Sequence, residues 1–194
     1  MIDNILINKN LSIRTKITIK TLISISLIIL SVCLPQIAHL IIKNQSGIKL
    51  LPMYFPILLG GCLLGIKYGL FVSIFSPIMS YLFTSLLNNP MPTLERLPFM
   101  IVELSIFAII TGLFSKKIAK NPYLSFIAVI LAFIVGRSSF LLLTIIFQNM
   151  VSFTPTIIFN QIKMGYLGVI IQTIIVPLII ILIQNKMIKE TNND

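Results

Sequence analysis

Long apolar runs and short polar breaks alternate along the whole chain. A bilayer core about 30 Å thick needs roughly 20 apolar residues for one helix to cross it. The runs therefore predict six transmembrane helices, at about 19–42, 53–64, 70–87, 98–114, 123–147 and 162–184. This pattern predicts an all-α integral membrane protein, a single bundle of about six transmembrane helices.

Polar and basic ends flank this apolar region. Residues 1–18 form a basic N-terminal segment, residues 19–185 the membrane domain, and residues 186–194 a short tail. No small-residue cleavage site follows the first apolar run, so we interpret it as a retained helix and not as a signal peptide. Pro35 predicts a kink or a break near the end of that helix.

The breaks on either side of the third run differ in kind. Residues 65–69 are short and framed by glycines, which predicts a tight turn, whereas residues 88–97 are polar and rich in proline and cannot be helical throughout. The four-residue spacing of Gly61 and Gly65 predicts a close helix contact. A serine stripe on the third helix predicts a face turned toward other helices or a cavity, formed by Ser73, Ser76 and Ser80.

Composition agrees with a membrane protein, with 57% hydrophobic and 10% charged residues. The net charge of +10 comes from basic residues at the ends of apolar runs, which favours contact with anionic lipid heads over nucleic acid. Cys33 and Cys62 lie inside apolar runs without metal-ligand spacing, so neither a disulfide nor a metal site is predicted.

The distribution of basic residues predicts the orientation of the bundle. With six crossings, ten lysines and arginines fall on the side of both termini and four on the other side. The positive-inside rule then places both termini in the cytoplasm. The three longest polar connections, 43–52, 88–97 and 148–161, are expected to face outward and to bind something there.

Two charged residues are predicted at membrane depth, Glu103 in the fourth helix and Arg137 in the fifth. A charge in that position costs at least about 2.5 kcal/mol and normally has a partner inside the bundle. Antiparallel neighbours would bring the two within reach, either to hold the helices together or to line a pocket. The candidate substrate-binding residues are Glu103, Arg137, Gln172, Ser138, Tyr81, His39, Glu95 and Arg96.

The sequence contains no recognisable set of catalytic residues. No second carboxylate lies near Glu103, and there is no zinc-ligand spacing, no Ser-Lys pair and no phosphate-binding loop. The single histidine, His39, fits a lining or interfacial role better than metal ligation. We therefore predict a protein that is not an enzyme and that needs no cofactor.

The stretches LPMYFPILLGGCLLGIKYGLFVSIFSPIMSYLFTSLL, NNPMPTLERLP and FMIVELSIFAIITGLF resemble the substrate-binding S component of an energy-coupling factor (ECF) vitamin transporter. The resemblance covers roughly residues 20–185. It implies a multi-pass protein of the bacterial cell membrane that captures a vitamin or related micronutrient from outside. Two loops, 43–52 and 88–97, would close over the site.

The resemblance also implies partners: a transmembrane coupling protein, two cytoplasmic ATPases and the lipid bilayer, with no nucleic acid. An Ala-x-x-x-Ala docking face, frequent in the first helix of that family, is missing here. The buried arginine would suit an anionic vitamin such as pantothenate or niacin, whereas neutralisation of Arg137 by Glu103 would suit a neutral one. Two other functions stay open, a membrane scaffold without ligand and a solitary ion-coupled carrier.

Overall fold

A computed structural model describes residues 12–41, 50–150 and 154–193 of the chain, with side chains up to residue 38 in the first range and up to 186 in the last. Seven α-helices make up most of this part. In chain order they are α1 Ile13–Ile41, α2 Tyr54–Leu64, α3 Ile66–Leu86, α4 Leu97–Ile118, α5 Leu124–Ile146, α6 Pro155–Met164 and α7 Tyr166–Asn193.

Five of these helices, α1, α3, α4, α5 and α7, are long and apolar enough to cross a membrane. Their outward faces carry large apolar side chains, such as Leu22, Ile134 and Ile146, which are more than half exposed. Exposed apolar bands of this extent are stable next to lipid and not next to water. The chain is therefore an all-α, multi-pass membrane protein.

Helices α1, α6 and α7 differ from the sequence prediction in their bounds. Helix α1 begins at Ile13, six residues earlier than predicted, and continues through Pro35 without a break. Helix α7 extends to Asn193. Most residues of a further short helix, α6, had been predicted as a polar connection, so that part of the prediction was wrong. The number of membrane crossings and the location of the termini stay predictions.

The start of α6 follows from two adjacent residues. Thr154 is extended, with ψ 156°, and its side chain accepts a bond from the backbone N–H of Ile157. Pro155 follows in the first turn, where a proline lacks only an N–H that has no helical partner. The Thr-Pro pair thus starts a helix within the segment predicted as a polar connection.

Helix α2 is the centre of the bundle, in contact with α1, α3, α4 and α7. Ten of its 11 residues are buried. At the usual rise of 1.5 Å per residue it is about 16 Å long, too short to cross a bilayer core of about 30 Å. It is therefore a buried half-length helix, where the sequence had predicted a full crossing.

A tight turn at Gly65 joins α2 to α3, so the turn predicted over residues 65–69 is confined to its first glycine. Its φ of +82° favours glycine, and α3 resumes at the next residue. Gly61 is the true packing position, because a Cβ there would overlap the hydroxyl of Thr111 in α4. A Cβ at Gly65 would meet only Ser115 Oγ, at 3.9 Å. Gly61 therefore makes the close helix contact and Gly65 makes the turn. The predicted close helix contact is confirmed for Gly61 and is wrong for Gly65.

The ends of the bundle differ in charge. Near the turn at Gly65, Lys20 lies 5.4 Å from the centre of the Tyr68 ring, and Gln184 donates to the carbonyl of Ala119. The first contact joins the starts of α1 and α3, the second joins the ends of α4 and α7, and Ile66 of α3 lies close to Gly112 of α4. This end of the bundle carries the basic residues Arg14, Lys16, Lys20, Lys67, Lys116, Lys117, Lys120 and Lys186. We call this the basic end.

Candidate ligand-binding site

An ion pair joins α4 and α5 inside the bundle. Arg137 Nη1 lies 3.2 Å from Glu103 Oε1, with the glutamate side chain fully buried and the arginine side chain 14% exposed. The two helices are neighbours, and the contact between these two residues was predicted from their positions. Isolated charges at this depth would be costly, so each residue accounts for the presence of the other.

Tyr54, the first residue of α2, completes the cluster. Its hydroxyl donates a hydrogen bond to Glu103 Oε2 at 3.0 Å. The guanidinium carbon of Arg137 lies 4.8 Å from the centre of the Tyr54 ring, within the range of a cation–π contact. On the core side the Tyr54 ring packs against Phe107 and Phe133, which have centroids 5.2 and 6.4 Å away. One tyrosine thus holds both charged partners against an aromatic core.

Hydrogen bonding in this cluster is incomplete. Arg137 Nη2 is buried and has no hydrogen-bond partner among the described residues, and Glu103 Oε1 meets Arg137 as an ion pair without hydrogen-bond geometry. A buried donor without an acceptor costs about 1–3 kcal/mol. The cluster is therefore stable as a charge pair but keeps an unused donor on the arginine.

A cavity of about 580 Å³ lies directly against the cluster. It is built at the end of the bundle away from the basic end. Its apolar wall consists of Pro35, Leu51, Pro52, Met53, Pro90, Met91, Pro92, Met100, Phe140 and Ile158. Its polar and charged wall consists of Gln36, Tyr54, Ser80, Asn89, Thr93, Arg96, Glu103, Arg137 and Gln161.

The loop after α3 forms one side of the cavity and is held by two hydroxyls of that helix. Ser80 donates to the carbonyl of Met91 at 2.9 Å. Thr84 accepts from the backbone N–H of Met91 at 2.8 Å and donates to the carbonyl of Ser80 at 2.7 Å. The loop is irregular, as predicted. Both backbone groups of Met91 are bound, so the loop is docked on α3.

The predicted serine stripe is confirmed as an inward face. Ser73, Ser76 and Ser80 are all buried. Ser80 lines the cavity, whereas Ser76 Oγ is buried and has no hydrogen-bond partner in the described part of the chain.

The other predicted site residues are scattered. Arg96 lies in the cavity wall, and partial burial there lowers the pKa of its guanidinium below the usual value. Its neighbour Glu95 is exposed and outside the wall. Tyr81 and the exposed Ser138 are also outside it. The side chain of His39 belongs to the part of the chain that the structure does not describe.

Gln172 is a structural residue in this conformation. Its Nε2 donates to the carbonyls of Leu50 and Leu51, at 3.0 and 2.6 Å, and its side chain is 3% exposed. The amide therefore fastens the chain before α2 to α7 and does not reach the cavity. It positions Leu51, which is itself part of the wall.

Several wall residues were not predicted as a site. Tyr54 and Gln36 line the cavity but are not among the candidate binding residues predicted from the sequence. Gln161 belongs to α6, the helix that was interpreted as mostly loop. Met53 and Met100 carry no signal that separates them from other apolar residues.

Comparison with known proteins leaves this site without a template: no family model, no curated protein and no solved structure matches the chain. Its chemistry is therefore inferred from the geometry. The wall offers flexible thioethers, rings and prolines, together with a few amides, hydroxyls and guanidinium groups, which hold a ligand by packing and hydrogen bonds. Among the described residues, no three His, Cys, Asp or Glu side chains gather as metal ligands.

Proposed function

We propose that this chain captures a small organic solute at the outer face of a bacterial cell membrane, as the substrate-binding S component of an ECF importer. The observation that carries the proposal is the cavity of about 580 Å³ with a buried charged cluster in its wall. Small-molecule sites commonly measure about 300–1,000 Å³ and combine an apolar wall with a few polar groups. A connector between helices would need no such space.

The proposed side of capture follows from charge. The cavity lies at the end of the bundle opposite the basic end. Basic residues concentrate on the cytoplasmic side of membrane proteins, so the cavity would open outward. That orientation suits a protein that takes a solute from outside.

The resemblance to S components supplies the rest of the proposal. The loop at residues 88–97 would act as one lid, and residues 43–52 as the other, of which only the last three lie in the described part of the chain. The loaded protein would dock on a transmembrane coupling protein that two cytoplasmic ATPases drive. The chain itself would hydrolyse nothing.

A thermal-shift screen of the detergent-purified chain against water-soluble vitamins and their precursors tests the proposal. A ligand at a hundred times its dissociation constant should stabilise the folded form by about 2.7 kcal/mol. We expect one compound, or one group of related compounds, to raise the melting temperature. Arg137→Ala should abolish that shift while the protein stays inserted, and Ser138→Ala, outside the cavity wall, should keep it.

Uptake into membrane vesicles then separates the three functions. An S component should accumulate the compound only with the coupling protein, the ATPases and ATP. Accumulation by the purified chain alone, driven by an ion gradient, would establish a solitary carrier. A screen with no shift, together with full tolerance of the Glu103→Gln, Arg137→Met pair in every assay, would establish a scaffold.

A further inference from the structure

The charges in the cavity wall are not equally available to a ligand. Glu103 is fully buried, and its two oxygens face Tyr54 and Arg137. Arg137 keeps 14% of its side chain exposed and lines the cavity, and its buried Nη2 has no acceptor among the described residues. Arg96, the third charged residue of the wall, already interacts with another group of the protein. The group that the cluster lacks is thus a hydrogen-bond acceptor for Arg137.

A cationic ligand fits this arrangement poorly. It would meet the guanidinium of Arg137, whereas Glu103, the carboxylate that could attract it, is fully buried and already paired with Arg137 and Tyr54. Like charges at short range inside a low-dielectric site repel strongly.

An anionic ligand fits better, but the pair has already neutralised much of the attraction. Arg137 is balanced by Glu103 at 3.2 Å, so an anion would be attracted by one charge and repelled by the next. It would also give up its hydration to enter a wall that is mostly apolar. Desolvation of a charge is repaid only by a full partner.

An uncharged acceptor avoids both difficulties. A carbonyl oxygen loses little hydration, and it would receive a charge-assisted hydrogen bond from the guanidinium of Arg137, which lines the cavity. The remaining wall near the cluster, with Met53, Met100 and Phe140, suits an apolar or aromatic body. Methionine is flexible and packs well on rings of different shape.

We infer that the ligand is a neutral organic molecule with an apolar body and a carbonyl-type acceptor, such as an amide, at the end that lies against Arg137. This inference rests on the proposed capture of a solute and names its chemical class. It decides between the anionic and the neutral cargo that the sequence left open, because Glu103 and Arg137 are paired.

Three compounds with one carbon skeleton test the class: phenylpropanamide, phenylpropanoate and phenylpropylamine. Their dissociation constants are measured with the purified full chain by thermal-shift titration and calorimetry. We expect the amide to bind at least about tenfold more tightly than either charged analogue. Tighter binding of the carboxylate or of the amine, or equal binding of all three, would overturn the inference.

Two variants show where the end group is recognised. The Glu103→Gln, Arg137→Met double variant removes the donor and leaves no lone buried charge, so the preference for the amide should fall to within about twofold. Ser138→Ala, at the exposed residue next to Arg137, should retain the preference for the amide. A preference that survives in the double variant would place recognition elsewhere and contradict the assignment to Arg137.

Extraction of small molecules from the purified chain keeps the two proposals distinguishable. Compounds enriched over the double variant are identified by mass spectrometry in both ion polarities. A neutral carbonyl compound supports the neutral ligand class, even if none of the three test compounds binds. A charged compound overturns the ligand class but leaves solute capture intact. No enriched compound, together with no vitamin shift, overturns both.

Discussion

Tyr54 and Glu103, 49 residues apart in the chain, meet through a hydrogen bond of 3.0 Å in which the phenol donates to a fully buried carboxylate. Replacement of Tyr54 by Phe keeps the ring under Arg137 but leaves Glu103 Oε2 without a donor. We expect a loss of about 1–3 kcal/mol in the free energy of unfolding, measured by denaturation in mixed detergent micelles.

Tyr123→Phe is the matched control for that change. Tyr123 is 67% exposed and remote from the cavity wall, so removal of its hydroxyl should leave stability unchanged. If Tyr54→Phe were equally harmless, the phenol would not be needed to satisfy the carboxylate.

The ion pair predicts an unequal set of costs in a double-mutant cycle. Glu103→Gln alone leaves Arg137 without its counter-charge, and Arg137→Met alone leaves a buried carboxylate; each should lose about 3–5 kcal/mol. The double variant should be close to the original stability, because no charge is left alone. If the double variant lost as much stability as the two single variants added together, the residues would be energetically independent despite the distance of 3.2 Å.

Gly136, the residue before Arg137, lies directly against the ring of Phe107. A methyl group there would overlap that ring, which packs in turn on Tyr54. Gly136→Ala should therefore cost about 1–3 kcal/mol through overpacking, and should weaken ligand binding by displacing the aromatic support of the cluster. The measurements are the unfolding midpoint and the dissociation constant of the best ligand.

Gly60→Ala is the control for the glycine variant. A methyl group at Gly60 would meet Leu27 Cδ1 at 3.3 Å, the end of a flexible side chain that can shift. Its cost should be clearly smaller than that of Gly136→Ala. Equal costs would mean that contact with the Phe107 ring has no special effect.

The loop that borders the cavity depends on Thr84. Thr84→Val removes the acceptor for the Met91 N–H while it preserves the shape of the side chain. Hydrogen exchange of that amide should rise roughly tenfold, with little change in overall stability. Thr144→Val is the control, since Thr144 is also buried but bonds only within its own helix, to the carbonyl of Phe140. Unchanged exchange at Met91 would contradict the docking role of Thr84.

The architecture was predictable where one physical constraint dominates. Apolar runs report the long helices directly, and the cost of buried charge predicted that Glu103 and Arg137 would meet. The turn at Gly65 and the irregular loop after α3 followed from the backbone preferences of glycine and proline. These features depend on short stretches of sequence or on a strong energetic penalty.

The parts that were not predicted depend on distant contacts. The polarity of Gln172 suggested a binding residue, but its amide is consumed by the carbonyls of Leu50 and Leu51, more than 120 positions away. Nothing local to Gln161 shows that α6 turns it toward the cavity. Helix α2 was predicted as a membrane crossing because its sequence is apolar. An apolar sequence indicates burial but does not distinguish burial among other helices from burial in lipid.

The length of α2 has a geometric consequence for the whole protein. Helices α2 and α3 start from the same glycine, but α2 has 11 residues and α3 has 21. At 1.5 Å per residue, α3 rises about 15 Å further than its neighbour. That difference leaves the first residue of α2, Tyr54, well below the far end of α3, and Leu51, Pro52 and Met53, just before it, line the cavity. The length of α2 thus sets how far Tyr54 lies from the turn at Gly65, and each turn added to α2 would move Tyr54 about 5 Å further from that turn.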